Sequence, residues 1–390
     1  METELKKILN FTDIFLVGIG YIVGAGIYAL LYLTTKKAKN FTWLSFLIGG
    51  LISLLTGLSY AKLSQRINTN ATEYDYFTKI ISKNFKVFPA ILLLLSGCFI
   101  CSTLLISFSN ILSNQFTNKK YKLSIIILIL CVCSGINILN LKLTKNLNNV
   151  IAVFESSLLI IVILFSLKNW KLPSFDTKLN FKNIFDGAFL TLFTYSGFNS
   201  IPKLSEETID SEKNIPLGII TSIIFTIVLY SLTSIGANSI LGSEEVSNCV
   251  NPISKIYGKL FGSKFEKITD ISTLFSIFNT ILLSILFVSR QFYGISKDFK
   301  YLKKFTKVNK KTDTPINSII FVSIITLVLC FYKNIEFNNY ISNLFLFFIY
   351  IIVNSSLIIL YKKEKEKDFT KYLYPIFGVI SSIFVFINSL

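Results

Sequence analysis

The sequence contains no histidine. That removes a common metal ligand and the one side chain whose ordinary pKa lies near neutrality, so proton chemistry here must use a carboxylate or a lysine with a displaced affinity. Cysteine offers little more. Of six Cys, five (Cys98, Cys101, Cys131, Cys133 and Cys330) sit in apolar stretches where they act as small hydrophobes, and only Cys249 lies in a linker, so no loop disulfide is available. The spacing of Cys98 and Cys101 resembles a redox or zinc pair, but without His and among Leu, Ile and Phe it reads as packing. No nucleophile constellation, metal cluster or nucleotide loop occurs, so neither catalytic residues nor metal ligands are assigned and an enzyme is not expected. Charge is also scarce, at 16% of the chain. Lys and Arg are absent from eleven stretches: 11–33, 42–61, 87–113, 123–140, 149–167, 184–202, 216–240, 268–289, 316–332, 340–361 and 372–389. These hold four acids, Asp13, Glu155, Asp186 and Asp270, so all 39 Lys+Arg and 18 of the 22 Asp+Glu lie between them.

What fills those stretches is hydrocarbon: 52% of the 390 residues are hydrophobic and 37 are Phe. Each stretch is close to the ~20 residues a helix needs to cross ~30 Å of lipid. Barrel strands would alternate apolar and polar positions over ~10 residues, whereas runs such as IILIL and LFLFFIYII are apolar on every face. An all-α, multi-pass integral membrane protein with about eleven transmembrane helices is expected. The first stretch does not read as a signal peptide, since ten more spans and no small-residue cleavage site follow it. A net charge of +17 belongs to the loops, and no nucleic-acid partner is expected. With the amino terminus inside, inner linkers carry 24 Lys+Arg and outer linkers 15, which favours a cytoplasmic amino terminus. The linkers leave no room for a soluble domain. That at 290–315 interleaves Phe292, Tyr293, Phe299, Tyr301, Leu302 and Phe305 with lysines, as either a helix lying in anionic headgroups or a solvated positive loop would.

Glycine supplies the informative irregularity. The first span carries Gly18, Gly20, Gly24 and Gly26; the sixth carries Gly187, Gly197 and Pro202. Glycine weakens a helix interior by about 1 kcal/mol relative to Ala, and backbone groups released in a membrane must be satisfied by protein, water or ligand. A close packing face through Gly20 and Gly24 is one alternative. Yet spans 1 and 6 are the first members of two consecutive five-helix sets, where an inverted 5+5 repeat places paired broken helices.

Four blocks carry a likeness: GIGYIVGAGIY at 18–28, SFLIGGLISLLTGLSYAKLSQRI at 45–67, FTYSGFNSIPKLSEETIDSEKNIP at 193–216 and SRQFYGISKDFKYLKKFTKVNKKTDTP at 289–315. In that order the sequence resembles the amino acid/polyamine/organocation permeases, and among them those similar to cationic amino acid transporters. The resemblance implies a LeuT-like 5+5 inverted-repeat bundle, with a ten-helix core over 1–361 and a linker and eleventh helix over 362–390. It implies a secondary active permease that binds an amino acid between broken helices 1 and 6. The substrate carboxylate would meet amides of Ala25, Gly26 and Ile27, with Gly24 and Gly26 allowing close approach. The ammonium would meet carbonyls of Ile22, Phe193, Thr194 and Ser196. Phe193 takes the place of the family's aromatic gate, a role Phe189 would equally fill.

Departures are as informative as matches. Glu155 stands where many members carry a lysine thought to replace a sodium. It is therefore a candidate for a coupling proton, a sodium or the positive end of a substrate, or else a neutral hydrogen-bonded side chain. Asn199 replaces a common acid and is retained as a coupling or ion candidate. Arg290 would pair with Glu206, Glu207 or Asp13 as an inner gate, or remain an exposed positive-inside charge. ISKDF replaces MARDG after span 8, and eleven spans are fewer than such permeases usually have. The expected partners are an amino acid and the lipid bilayer; no cofactor is expected beyond a possible H+ or Na+. A non-transporting amino-acid sensor or interaction partner is the alternative function.

Overall fold

The computed structural model describes residues 5–84, 86–115, 121–170, 180–331 and 335–389. The helices that frame the site are α1 (Phe11–Ala38), α2 (Thr42–Arg66), α3 (Val87–Gln115), α4 (Lys122–Leu139) and α5 (Leu141–Ser166). They continue as α6 (Phe181–Tyr195), α7 (Ser211–Leu241), α8 (Ser263–Ser296), α9 (Ile316–Phe331), α10 (Ile335–Lys363) and α11 (Thr370–Ser389). Among the described residues, eight helices are long and apolar enough to cross a membrane, judged by length and composition. Three of the expected spans are not among the eight: α6 stops after 15 residues at its break, α9 runs for 16, and α11 is a 20-residue helix.

The helices are apolar all round because most face lipid on one side and each other on the other. Burial separates centre from rim. In α8 78% of the most apolar window is buried within the bundle, against 28% in α4, whose Leu128 points outward. α1 packs against α5, α6, α7 and α8, and α2 lies along α6 and α7. This interior is rich in Ser, Thr and Asn, most of which bond to a neighbouring backbone.

Local signals fix where helices begin. Asn10 caps α1: its side chain accepts from the Asp13 amide at 2.9 Å while Asp13 accepts from the Asn10 amide at 3.1 Å. Asp13 also takes Lys145 Nζ at 2.7 Å and Asn149 Nδ2 at 3.2 Å, tying the start of α1 to α5. Asn140 starts α5 by accepting from the Leu143 amide at 2.7 Å.

Both expected irregularities are present. In α1 the backbone leaves helical values at Gly24 (φ −11°, ψ −117°). After α6, Gly197 at φ +134° turns the chain into a 3-10 stretch, Phe198–Glu207, that contains Pro202. Close packing through Gly20 and Gly24 is present as well: a Cβ on Gly20 would strike Asn148 of α5, and one on Gly24 would strike Thr280 of α8. In the 290–315 linker, α8 runs on through Ser296, so Phe292 and Tyr293 are buried bundle residues rather than part of a surface element. Beyond them Lys300–Phe305 forms a short 3-10 turn that exposes Tyr301 and buries Phe305.

Gly197→Ala imposes a positive φ on an L side chain and puts its Cβ 3.0 Å from the Tyr21 ring. A loss of about 1–3 kcal/mol is expected, read as a lowered thermal midpoint of the detergent-solubilised protein. An unchanged midpoint would mean that the break does not need this backbone state.

Candidate functional site

The two breaks face each other. A Cβ on Gly26 would lie 3.0 Å from the Thr194 carbonyl oxygen, and one on Gly197 would lie 3.3 Å from Ile22 Cγ1. Only glycine permits this backbone-to-backbone approach. Carbonyls freed around the α1 break are met by side chains from α7 and α8. Tyr230 Oη donates to Ile22 at 2.9 Å, Ser276 Oγ donates to Gly24 at 2.6 Å, and Asn279 Nδ2 donates to Gly20 at 3.4 Å. At the α6 break the Gly197 amide donates to Asn199 Oδ1 at 3.1 Å. Asn199 therefore works as a cap for the break.

A cavity of about 1030 Å³ lies along these breaks. Of the residues expected to bind substrate, it is lined by Ile22, Gly26, Thr194 and Ser196, with Asn199 beside them. Gly24 and Ile27 lie behind the wall: a Cβ at Gly24 would strike Thr280, and Ile27 is buried. The side chains of Ala25 and Phe193 lie outside the described ones. Phe189, the other aromatic considered, lines the cavity and stacks on Phe384 of α11 with centroids 5.0 Å apart.

At one end the cavity reaches the exposed residues Lys37, Lys182 and Phe185. The end nearer the amino-terminal segment is closed. There Arg290 is fully buried, and its Nε and Nη2 grip Glu207 at 3.0–3.2 Å. Arg290 is thus an internal ion pair rather than an exposed loop charge, and it selects Glu207 from the three acids considered. Glu206 pairs instead with Lys297 at 2.7 Å, and Asp13 with Lys145. Burial works against the Lys297 charge, but the Glu206 carboxylate outweighs it and holds Lys297 above its ordinary value. Backbone adds a strap, since the Ile8 and Leu9 amides both donate to the Glu207 carbonyl at 3.0 Å and Ile209 donates to Leu9 at 2.8 Å. Tyr74 Oη donates to Asp298 at 3.0 Å across the same end.

Glu155 is 1% exposed, and neither carboxylate oxygen has a hydrogen-bond partner among the described residues. The Ser276 hydroxyl beside it is committed to the Gly24 carbonyl. Tyr28, whose hydroxyl is also unpartnered, and Tyr230 lie within electrostatic reach. Neither Glu155 nor Asp270 is among the residues lining the cavity, and Asp270 accepts from Asn251 at 3.0 Å. The acids that do line it are Glu73 and Asp186; in the sequence Asp186 stands out only as one of four acids within the spans, and no site role attaches there to it, to Glu73 or to Lys203. Among the described residues no group of three or more Cys, Asp or Glu is placed to hold a metal.

Two discontinuous helices meeting at a central cavity, with the buried Arg290–Glu207 pair at its closed end, give the architecture expected of the inverted-repeat class of membrane proteins. The chain belongs to the amino acid permease family, whose model matches residues 9–390. It is 23% identical over 392 residues to cationic amino acid transporter 7, chloroplastic, of Arabidopsis thaliana, covering 90% of this chain and 65% of that protein. It is 21% identical to the branched-chain amino acid permease BcaP of Bacillus subtilis (strain 168), covering 94% of this chain and 83% of BcaP. The serine/threonine exchanger SteT of the same bacterium is 24% identical, with 99% and 92% covered. Among solved structures, MhsT in complex with L-phenylalanine superposes at a TM-score of 0.67 with 15% identity, over 100% of both chains. That likeness concerns the fold, and it bears out the LeuT-like bundle expected from the sequence.

Removing one member of the Arg290–Glu207 pair leaves a buried charge uncompensated. Arg290→Met or Glu207→Gln is expected to cost about 3–5 kcal/mol, and the double variant markedly less than the sum. Unfolding midpoints of the four proteins in detergent test this; strictly additive losses would mean the two groups do not interact.

Proposed function

We propose that the chain is a secondary active amino-acid permease that works by alternating access, with the amino acid held between the breaks of α1 and α6. The observation that carries this reading is the approach of Gly26 to the Thr194 backbone at the wall of a large cavity. Amides following the α1 break, at Ala25, Gly26 and Ile27, are positive helix-terminal donors suited to a carboxylate. Carbonyls of Ile22, Phe193, Thr194 and Ser196 suit an ammonium. Ile22 shares its acceptor with Tyr230, so substrate binding and the α1–α7 contact are coupled. Residues 1–361 form the transporting core and 362–390 an added linker and helix. With the amino terminus in the cytoplasm, the closed end is the inner gate and the structure is the outward-facing member of the cycle. Family membership and relatives named as transporters, a permease and an exchanger favour transport over a sensor, and no cofactor is indicated.

Glu155 serves coupling. A buried carboxylate with two free oxygens, next to the unwound Gly24 segment, is completed by H+ or by Na+. Either cation would tie the energy of a gradient to the position of the α1 break.

Reconstituted protein should show saturable uptake of a radiolabelled amino acid. Gly26→Leu should lower uptake by more than about tenfold, equivalent to 1.4 kcal/mol of lost binding, and undiminished flux would sink the backbone cradle. In Glu155→Gln, uptake should lose its response to an imposed pH or sodium gradient while exchange across an equilibrated membrane persists. A variant that still follows the gradients would remove Glu155 from coupling.

A further inference from the structure

Lys203 is not used by the reading above. It follows Pro202 in the 3-10 stretch, is 7% exposed and lines the cavity near its closed end. Among the described residues it has neither a hydrogen bond nor an ion pair. The acid that acts on it is Glu73, 2% exposed and lining the same cavity, yet the two are not in ion-pair contact.

Glu73 does not need the lysine. Its Oε1 accepts from Tyr60 Oη at 2.9 Å, and its Oε2 accepts from Gln291 Nε2 at 2.7 Å and from the Thr72 hydroxyl. Neutral donors therefore serve the carboxylate while the ammonium is left without an acceptor. A buried charge without a partner is the costly arrangement in a low-dielectric interior, and here it faces open volume instead of protein. The charged residues of the lining are three lysines, Lys37, Lys182 and Lys203, and two acids, Glu73 and Asp186, an excess of one positive charge. Two of those lysines stand at the open mouth, where they draw anions inward, and the third waits at the blind end.

We propose that the closed end of the cavity, around Lys203 Nζ, is a subsite for the side-chain carboxylate of an acidic amino acid. The inference rests on the permease reading and adds its substrate class. The breaks hold the α-carboxylate and α-ammonium, and the side chain extends along the Phe198–Glu207 stretch past Asn199 and Ser200, both of which line the cavity. Lys203 lies six residues beyond Gly197 along the 3-10 stretch, about 12 Å at ~2 Å per residue, and the substrate and lysine side chains bridge that span from opposite ends.

The test uses the full chain, purified in detergent for ligand-induced thermal shifts and reconstituted for uptake, with L-glutamate, L-aspartate, L-glutamine, L-lysine and L-alanine as probes. Glutamate or aspartate should bind at least about tenfold more tightly than glutamine, the scale of one charge-assisted hydrogen bond. Lys203→Met should bring that ratio close to one while alanine binding changes less than about twofold, and Lys203→Arg should keep the preference. Should Lys203→Met fail to fold, the ratio in the unmodified chain and in Lys203→Arg still decides. Glutamate binding no tighter than glutamine overturns the proposal, as does a Lys203→Met variant that weakens alanine and glutamate equally. Amino acids bound and moved without acidic preference defeat this inference alone. Absence of binding or flux for every probe defeats the permease reading together with it.

Discussion

Breaking a helix inside a membrane frees backbone donors and acceptors where water does not reach them, and each must find a partner within the protein. Most of the interior of this bundle follows from that demand. Tyr230, Ser276 and Asn279 reach from α7 and α8 to three carbonyls of α1, and Asn199 returns along its own chain to the Gly197 amide. Because these partners come from different helices, the break in α1 is held by the relative placement of α7 and α8. A shift of either helix alters the acceptors offered to a ligand. On the proposed reading, the binding site and the moving parts share one set of hydrogen bonds.

The two ends of the cavity are held by different forces. At the closed end, the buried pair of Arg290 on Glu207 and the exposed pair of Lys297 on Glu206 lie beside a backbone strap in which Leu9 is bridged to Thr208. Buried ion pairs gain little net stability because desolvation offsets their attraction, but they are specific, and a half-broken one is strongly disfavoured. That is a useful property for a gate, since intermediate positions are penalised more than either closed or fully hydrated ones. The open end has Lys37 and Lys182 in exposed positions, where a charge costs little.

Much of this was legible in the sequence because a bilayer sorts residues so strictly. Stretches free of Lys and Arg located the helices, and glycine in the first and sixth located the breaks. What misled was the same criterion. A span drawn to end at the first lysine places any buried cation outside it, so Lys203 was counted with a linker, although Pro202 and the break before it shorten the helix and leave the lysine in the cavity wall. Arg290 was likewise set at a span end, whereas α8 continues through Ser296 and buries it. Glu73 was invisible for another reason: its three donors come from Tyr60, Thr72 and Gln291, the last more than two hundred residues away, and no local pattern encodes such a meeting. The glycines proved double in meaning, since Gly18, Gly20 and Gly24 all allow close packing, and Gly24 also carries the break that Gly26 follows.

The departures from the family pattern make sense together once they are placed. Where an acid is common, this chain has Asn199, whose amide oxygen still accepts from the Gly197 amide and so keeps the break capped. A carboxylate would make the same bond, but it would add a third acid to a cavity wall that already holds Glu73 and Asp186 and would stand four residues from Lys203 on the same 3-10 stretch. The amide leaves that ammonium uncompensated and available. Glu155, the acid that appears in α5, sits away from the cavity lining, beside Ser276 and the α1 break. The cavity wall keeps Glu73 and Asp186, whereas Glu155 lies outside it. On the proposed reading, a cation at Glu155 and an anion at Lys203 would occupy separate places, since Lys203 lines the cavity and Glu155 does not, so neither would compete with the other for its site.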